Sequence, residues 1–249
     1  MLMHHSIREN AIFIADAHHH SLYQNTLDSL FIELLKQERR QIFFLGDIFD
    51  FLVDGVCDSI KDNAKTLDLL EKLSLKHEVY YFEGNHDFLL KGIPQFKNII
   101  YFSLKEQPSC FEFNGKKCYL AHGDIFLNWQ YNIYTKILRQ KKLVTFLNFF
   151  SFYLYKKIIN YLKKKNKKKY AQSTEEMQLN FAKFAESRID KYHKKFILNK
   201  DSYIIEGHFH LGKTIRVKDI NYIGLPFFAC KKRYFVVKCE NNCLILKEF

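Results

Sequence analysis

Proline and glycine are scarce, at three and nine in 249 residues, whereas phenylalanine and tyrosine number 25 and 15. That balance excludes a disordered or collagen-like chain. No self-similarity at solenoid periods is present, which excludes a repeat array. The six cysteines include no C-x-x-C pair. A disulfide framework is therefore excluded, and reduced thiols in a cytosolic setting are expected. The N-terminal stretch MLMHHSIREN lacks the apolar core of a signal peptide; His4 and His5 are read as a disordered end. Uninterrupted apolar runs of membrane-spanning length are missing too. The most apolar window, residues 143–162, contains Asn148, Lys156, Lys157 and Asn160, and a spanning helix needs about 20 residues with few or no charges.

Acidic residues run short in one stretch only. Residues 125–200 carry eighteen Lys or Arg against four Asp or Glu, while the whole chain carries 39 against 27 and has a net charge of +12. The basic excess therefore belongs to one segment, where a surface that attracts anions is expected. With 47% hydrophobic residues, the chain can bury a sizeable core, as one large domain or two modest ones.

The first third reads strand, helix, strand, helix, strand. Buried strands are expected at 11–18, 41–47 and 78–85, and helices at 22–37 and 59–76. That is the pattern of a parallel sheet with crossover helices. Asn114-Gly115 then centres a hairpin, a further strand runs over 202–210, and antiparallel strands close the chain. Residues 125–200 read as helices only. Ser173 and Glu176 have capping-box spacing, and Met177, Phe181, Phe184, Tyr192 and Phe196 form an apolar stripe after them. The expected division is a core of residues 1–124 and 201–249 with a helical, basic and aromatic cap of residues 125–200.

Five strands end in residues of one chemical kind. They read Asp16-x-His18, Gly46-Asp47-x-x-Asp50, Gly84-Asn85-His86-Asp87, His122-Gly123-Asp124 and Gly207-His208-x-His210. Ligands gather at the carboxyl ends of strands in sheets of this type. Any one of these ends is ordinary turn chemistry, but five in succession are not. Carboxylate, amide oxygen and imidazole together suit Mn, Fe, Co or Zn, in numbers sufficient for two ions bridged by Asp47. Two ions about 3.5–4 Å apart can activate a water and clamp a phosphoryl group. The glycines before Asp47, Asn85 and His208 are expected to permit sharp turns. His19 and His20 are read as loop residues near the site, with substrate contact as the other reading. Asp50 and Asp124 are read as groups that orient ligands or as turn caps.

These motifs resemble the calcineurin-like metallophosphoesterase superfamily, whose pattern is D-x-H, G-D-x-x-D, G-N-H-D/E, H and G-H-x-H. The resemblance implies a double β-sandwich flanked by helices, an αββα arrangement. It implies that Asp16, His18 and His210 bind one metal, that Asn85, His122 and His208 bind a second, and that Asp47 bridges them. It makes His86 a non-ligand that contacts phosphoryl oxygens or protonates the leaving oxygen, with Asp87 fixing its orientation. Within the superfamily the likeness is nearest to the branch that hydrolyses UDP-2,3-diacylglucosamine in lipid A biosynthesis. That branch opens as FIADAHHH does, continues as LGDIFDFLVDG does, and carries a basic aromatic insertion before G-H-x-H. It reads G-N-R-D where this chain has Gly84-Asn85-His86-Asp87.

This likeness implies two divalent ions, with Mn²⁺ favoured over Fe, Co or Zn. It implies a glycolipid nucleotide substrate and a cytoplasmic protein lying peripherally on an anionic inner-membrane surface. Tyr131, Tyr134 and Arg139 have the spacing of that branch's cap and would contact substrate. Lys163 to Lys169 read as a solvated helix end or loop, or, beside the apolar aromatic segment, as a contact for anionic lipid. Phe146, Phe149, Phe150 and Tyr153 would form cap core or a groove for acyl chains. A nuclease or nucleotide phosphodiesterase is the alternative, with the basic segment tracking a phosphate backbone; the Phe and Leu content of 143–162 favours lipid over nucleic acid. A non-enzymatic metal-site scaffold is the third reading, and the complete motif set argues against it. No protein partner is inferable.

Overall fold

The computed structural model describes residues 5–20, 26–140, 144, 157, 160–161, 180–228, 234–240 and 243–248. Two sheets form the centre. The first has the order β13-β12-β1-β2-β4-β6, built from Cys243–Glu248 (β13), Phe235–Glu240 (β12), Ile12–Ile14 (β1), Gln41–Leu45 (β2), Glu78–Phe82 (β4) and Ile100–Phe102 (β6). β1, β2, β4 and β6 run parallel, and β12 and β13 close one edge antiparallel. The second has the order β10-β11-β9-β8-β7, from Leu211–Val217, Ile220–Pro226, Tyr203–Glu206, Lys116–Ala121 and Ser109–Phe113.

The continuous apolar runs of β1, β2 and β4 serve two cores at once. Successive side chains of a strand point to opposite faces, and a strand buried on both faces needs no polar alternation. Phe13, Phe43, Tyr80 and Phe82 face the second sheet, where they meet Phe111, Leu120, Ile205 and Ile223. Phe13, Phe43 and Tyr80 stack in a row across three strands, with ring centroids 4.6 Å apart at each step. Their neighbours Ile12, Ile14, Phe44 and Tyr81 face helices α1 (Thr26–Leu34) and α3 (Ala64–Lys76). The second sheet's outer face, through Tyr119, Ile204 and Tyr222, packs on Ala185, Ile189 and Tyr192 of a helix at Phe181–His193. The layers are thus helix, sheet, sheet, helix, as expected for the αββα class.

Several local expectations change. The helix read over 59–76 is two, Cys57–Asp62 (α2) and α3, broken at Asn63, whose amide donates to the Ser59 carbonyl at 2.8 Å. The short strands Leu52–Val53 (β3) and Asp87–Phe88 (β5) pair in a small sheet of their own. His5 is no loose end: its ring sits 5.3 Å from Phe111 and 5.6 Å from Tyr80, and its carbonyl accepts from Glu112 N. Of the stretch 125–200, helix α4 (Trp129–Leu138) begins at Asn128, whose side chain caps Tyr131 N at 2.8 Å. Helix Phe181–His193, α5, lies on the second sheet. His4, Phe146, Phe149, Phe150, Tyr153, the run Lys163 to Lys169, the Ser173 to Glu176 box, Met177 and the side chain of Tyr134 lie outside the described residues. Among the described residues no helix is long and apolar enough to cross a membrane.

Candidate metal centre

β1, β2 and β4 of the first sheet and β8 and β9 of the second all end at the same edge of the sandwich, and each runs directly into one of the five motifs. Backbone hydrogen bonds knit the first two ends together: Asp16 N to the Gly46 carbonyl at 3.1 Å, and His18 N to the Asp47 carbonyl at 2.9 Å. Asp16, His18, Asp47, His208 and His210 all adopt positive φ, between 42° and 63°. Non-glycine residues seldom do so, and each costs about 1–3 kcal/mol that the surrounding structure must offset. Concentration of this strain on five site residues marks the edge as functional.

Three sets of donors converge here. Asp16, His18 and His210 form one; His18, Asp47 and His86 a second; Asp47, His122 and His208 a third, with the ligand atoms of each set within 4.8 Å of one another. His18 and Asp47 each belong to two sets, so the sets form a continuous chain. Asn85 Oδ1 lies 3.4 Å from His122 Nε2, and His208 Nδ1 lies 3.2 Å from it. His122 Nδ1 donates to the Leu45 carbonyl at 2.8 Å, which leaves Nε2 facing these groups and Asp47 Oδ2 at 3.5 Å. On the other side His210 Nε2 is 3.2 Å from Asp16 Oδ1. Among the described residues, Asp16 Oδ1 and His18 Nε2 are buried without hydrogen-bond partners.

The electrostatics call for positive charge. Burial works against ionising Asp47, yet the rings of His122, His86 and His18 outweigh it and hold this carboxyl well below the usual range. Burial likewise works against a charged His122, but Asp47, Asp124 and Asp16 push its pKa well above the ordinary imidazole value. Burial, and then the nearness of His122, pushes His208 down to about 3. A site that draws a proton between lone pairs in this way fits a divalent cation, and its oxygen and imidazole donors suit Mn, Fe, Co or Zn.

The surrounding groups act on backbone as well as on rings. Asp50 stands behind two histidines, with Oδ1 3.4 Å from His18 Nδ1 and its carbonyl accepting from His86 Nδ1 at 2.8 Å. Orientation of His86 was expected from Asp87, and here the structure differs. The Asp87 carboxylate accepts instead from the backbone N–H groups of Asp47, Ile48, Phe49 and Gly84 at 2.7–3.2 Å, and from the Tyr81 hydroxyl at 2.5 Å. It therefore shapes the turn that presents Asp47. Adjacency in sequence misled: consecutive residues at the end of a strand point to different sides.

The reason for the glycine at 84 also differs from the expected turn. A Cβ there would lie 2.2 Å from Asp47 Oδ1 and 2.3 Å from Asp47 N, so the position requires close approach rather than a special φ. Gly46 requires both, with φ +78° and His122 Nδ1 2.5 Å from where a Cβ would be.

His19 turns away from the site. The Thr66 hydroxyl donates to Asp28 at 2.6 Å and so accepts from His19 Nε2–H at 2.7 Å, which ties this loop to α1 and α3. Of the residues expected to contact substrate, Tyr131 donates to Asp124 Oδ2 at 3.2 Å. Arg139 donates to the Gly84 carbonyl at 2.8 Å, lies 3.5 Å from Glu83 and covers the Phe88 ring. Both bind α4 to the motif-bearing strand ends.

Four buried residues of the site's frame have no counterpart in the sequence motifs: Glu83, Gln107, Arg188 and Glu206. Gln107 donates to the Glu83 carbonyl at 2.9 Å and accepts from His122 N at 2.7 Å, bridging the two sheets. The two glutamates did leave a signal. Each is a charged residue closing an apolar strand immediately before Gly84-Asn85 or Gly207-His208, a place where a carboxylate must find partners if buried.

A UDP-2,3-diacylglucosamine hydrolase of Coxiella burnetii is 30% identical over 120 residues, 46% of this chain and 47% of the relative. One of Neisseria meningitidis serogroup B is 31% identical over 141 residues, 53% and 57% of the two chains. This chain thus spans about half the length of these curated relatives. One of Haemophilus ducreyi is 25% identical over 204 residues, 80% and 82% of the two. The solved structure of Yfce, a phosphoesterase from E. coli, superposes with a TM-score of 0.42 at 13% identity, covering 96% of this chain and 97% of that one. The calcineurin-like phosphoesterase model matches residues 10–212. That span takes in all five strand ends from Asp16 to His210, and by it the chain belongs to the calcineurin-like phosphoesterase family.

Proposed function

We propose that this phosphoesterase uses two divalent ions, Mn²⁺ foremost, to hydrolyse the pyrophosphate of UDP-2,3-diacylglucosamine, giving 2,3-diacylglucosamine 1-phosphate and UMP. The observation that carries the hydrolytic reading is the chain of three donor sets sharing His18 and Asp47. Asp16, His18 and His210 would hold one ion, Asn85, His122 and His208 the other, and Asp47 both. Bound there, the ions would lower the pKa of a water from about 16 toward 7 and clamp phosphoryl oxygens.

The protein's own groups complete the chemistry. His86 carries its proton on Nδ1, against the Asp50 carbonyl. Its Nε2, when protonated, can donate a hydrogen bond to a phosphoryl oxygen or supply a proton to the leaving oxygen. Asp50 keeps the rings of His18 and His86 in place, and Asp87 keeps Asp47 in place. Asp124 seats Tyr131. Tyr131, Tyr134 and Arg139 would contact substrate.

The names of the relatives support the substrate, as does α4. Trp129, Ile133 and Ile137, one turn apart, are 69%, 49% and 48% exposed. They offer an apolar stripe to acyl chains or to a membrane surface on the inner face of the cell. Residues 125–200 supply this cap, with α5 as the part that joins it to the core formed by 1–124 and 201–249. The test offers Mn²⁺-loaded protein UDP-2,3-diacylglucosamine of graded acyl length, single-stranded DNA and an aryl phosphodiester. The expected result is kcat/KM rising steeply with acyl length. A flat dependence together with DNA cleavage would replace the glycolipid by a nucleic acid.

A further inference from the structure

Arg188 belongs to α5, on the outer face of the second sheet, yet it is only 2% exposed and its guanidinium reaches the backs of two motif loops. Nε donates to Glu206 Oε2 at 2.9 Å, and Nη2 donates to the other carboxylate oxygen. Nη1 donates to the Ile125 carbonyl at 3.0 Å and Nη2 to the Gly123 carbonyl at 3.2 Å. The guanidinium carbon lies 5.0 Å from the centre of the Phe209 ring. Gly123 follows His122, Glu206 stands two residues before His208, and Phe209 separates His208 from His210. One planar group therefore touches the chain on both sides of the gap across which His122 Nε2 and His208 Nδ1 approach to 3.2 Å. Tyr192 and Tyr222 hydroxyls donate to Glu206 at 2.9 and 2.8 Å, so the carboxylate is fully engaged.

A buried ion pair is poor evidence of stabilisation, because apolar replacements of such pairs are often neutral or better. What an arginine fork supplies that an apolar pair does not is fixed geometry: five donors in one rigid plane. Resting on the metal-centre reading above, we propose that Arg188 is a positioning residue for His122 and His208, setting the spacing of their strand ends and thereby the affinity of the ion they share.

The competing role is simple attachment of α5 to the sheet. The double variant Arg188→Met/Glu206→Gln separates the two, since it strands no charge and keeps an acceptor for the tyrosines. Binding of Mn²⁺ to metal-free protein is followed by calorimetry, with circular dichroism to establish the fold. The expected result is a native spectrum with one of two binding steps weakened about 10–100-fold, the usual effect of losing a group that orients a ligand. The other step should stay within about twofold of the unaltered protein, and kcat should recover at saturating Mn²⁺. Two unaltered binding steps in the folded double variant would overturn the proposal and leave the metal centre standing. Fewer than two ions on the unaltered protein would overturn the metal centre itself, and the proposal with it. Should the double variant not fold, Arg188→Lys keeps the charge and loses the fork. It is expected to show the same single weakened step, and two unaltered steps there would equally overturn the proposal.

Discussion

On one side of Asp47, Asp16 and His18 occupy a single strained turn, bonded through their own backbone to Gly46 and Asp47. His210 completes that side, stacked flat on Phe227 with centroids 4.2 Å apart. On the other side, Asn85, His122 and His208 come from three strands of two different sheets. Side chains reaching in from elsewhere hold them: Gln107 between Glu83 and His122, Arg139 on Gly84, and Arg188 between Gly123 and Glu206. In the first group Asp16 and His18 are placed by covalent proximity and a local turn, while His210 arrives on the same loop as His208. The second is placed by long-range tethers, each removable by one substitution without cutting the strand that carries the ligand. The two halves of one centre should therefore fail differently.

The largest effect is expected at the residue the halves share. Asp47→Ala should remove both ions and all activity; two ions per chain in an active variant, by elemental analysis, would refute the bridge. His86→Ala comes next. Both ions should remain while kcat falls by about 10²–10⁴. Loss of an ion in that variant would make His86 a ligand, in keeping with the donor set it forms with His18 and Asp47, and would redraw the boundary between the halves.

Gln107→Leu tests the contrast directly. One Mn²⁺ step should weaken about 10–100-fold while the step assigned to Asp16, His18 and His210 holds. Equal weakening of both steps in calorimetry would erase the distinction. The smallest effect on chemistry belongs to the cap. Ile133→Ser/Ile137→Ser should raise KM for a long-chain substrate, at about 0.8 kcal/mol per methylene no longer covered. Turnover of a small aryl phosphodiester should stay within about twofold, because these side chains stand apart from the donors.

Much of the centre was legible because its residues are local. Asp16 with His18, Asn85 with His86, and His208 with His210 sit at the ends of runs whose apolar character already says strand. Strand ends converge wherever a sheet is parallel. Strand β6 has only three residues, all half-buried, too short to display a period along the chain. The paired strands β3 and β5, of two residues each, show no period for the same reason.

The sequence by itself determined the apolar runs of β1, β2 and β4, the hairpin at Asn114-Gly115, the five motifs and the family they mark. Each of these is written within about ten consecutive residues, where backbone periodicity and side-chain chemistry act together. The tertiary structure alone decided that Asp87 serves Asp47 rather than His86, and that Gly84 is there for want of a Cβ. It alone decided that His19 belongs to the helices, that Gln107 joins Glu83 to His122, and that Arg188 joins Glu206 to Gly123. These partners lie 15 to 65 residues apart. A buried polar group must find its hydrogen bond wherever the fold brings one, and that choice leaves no periodic trace along the chain.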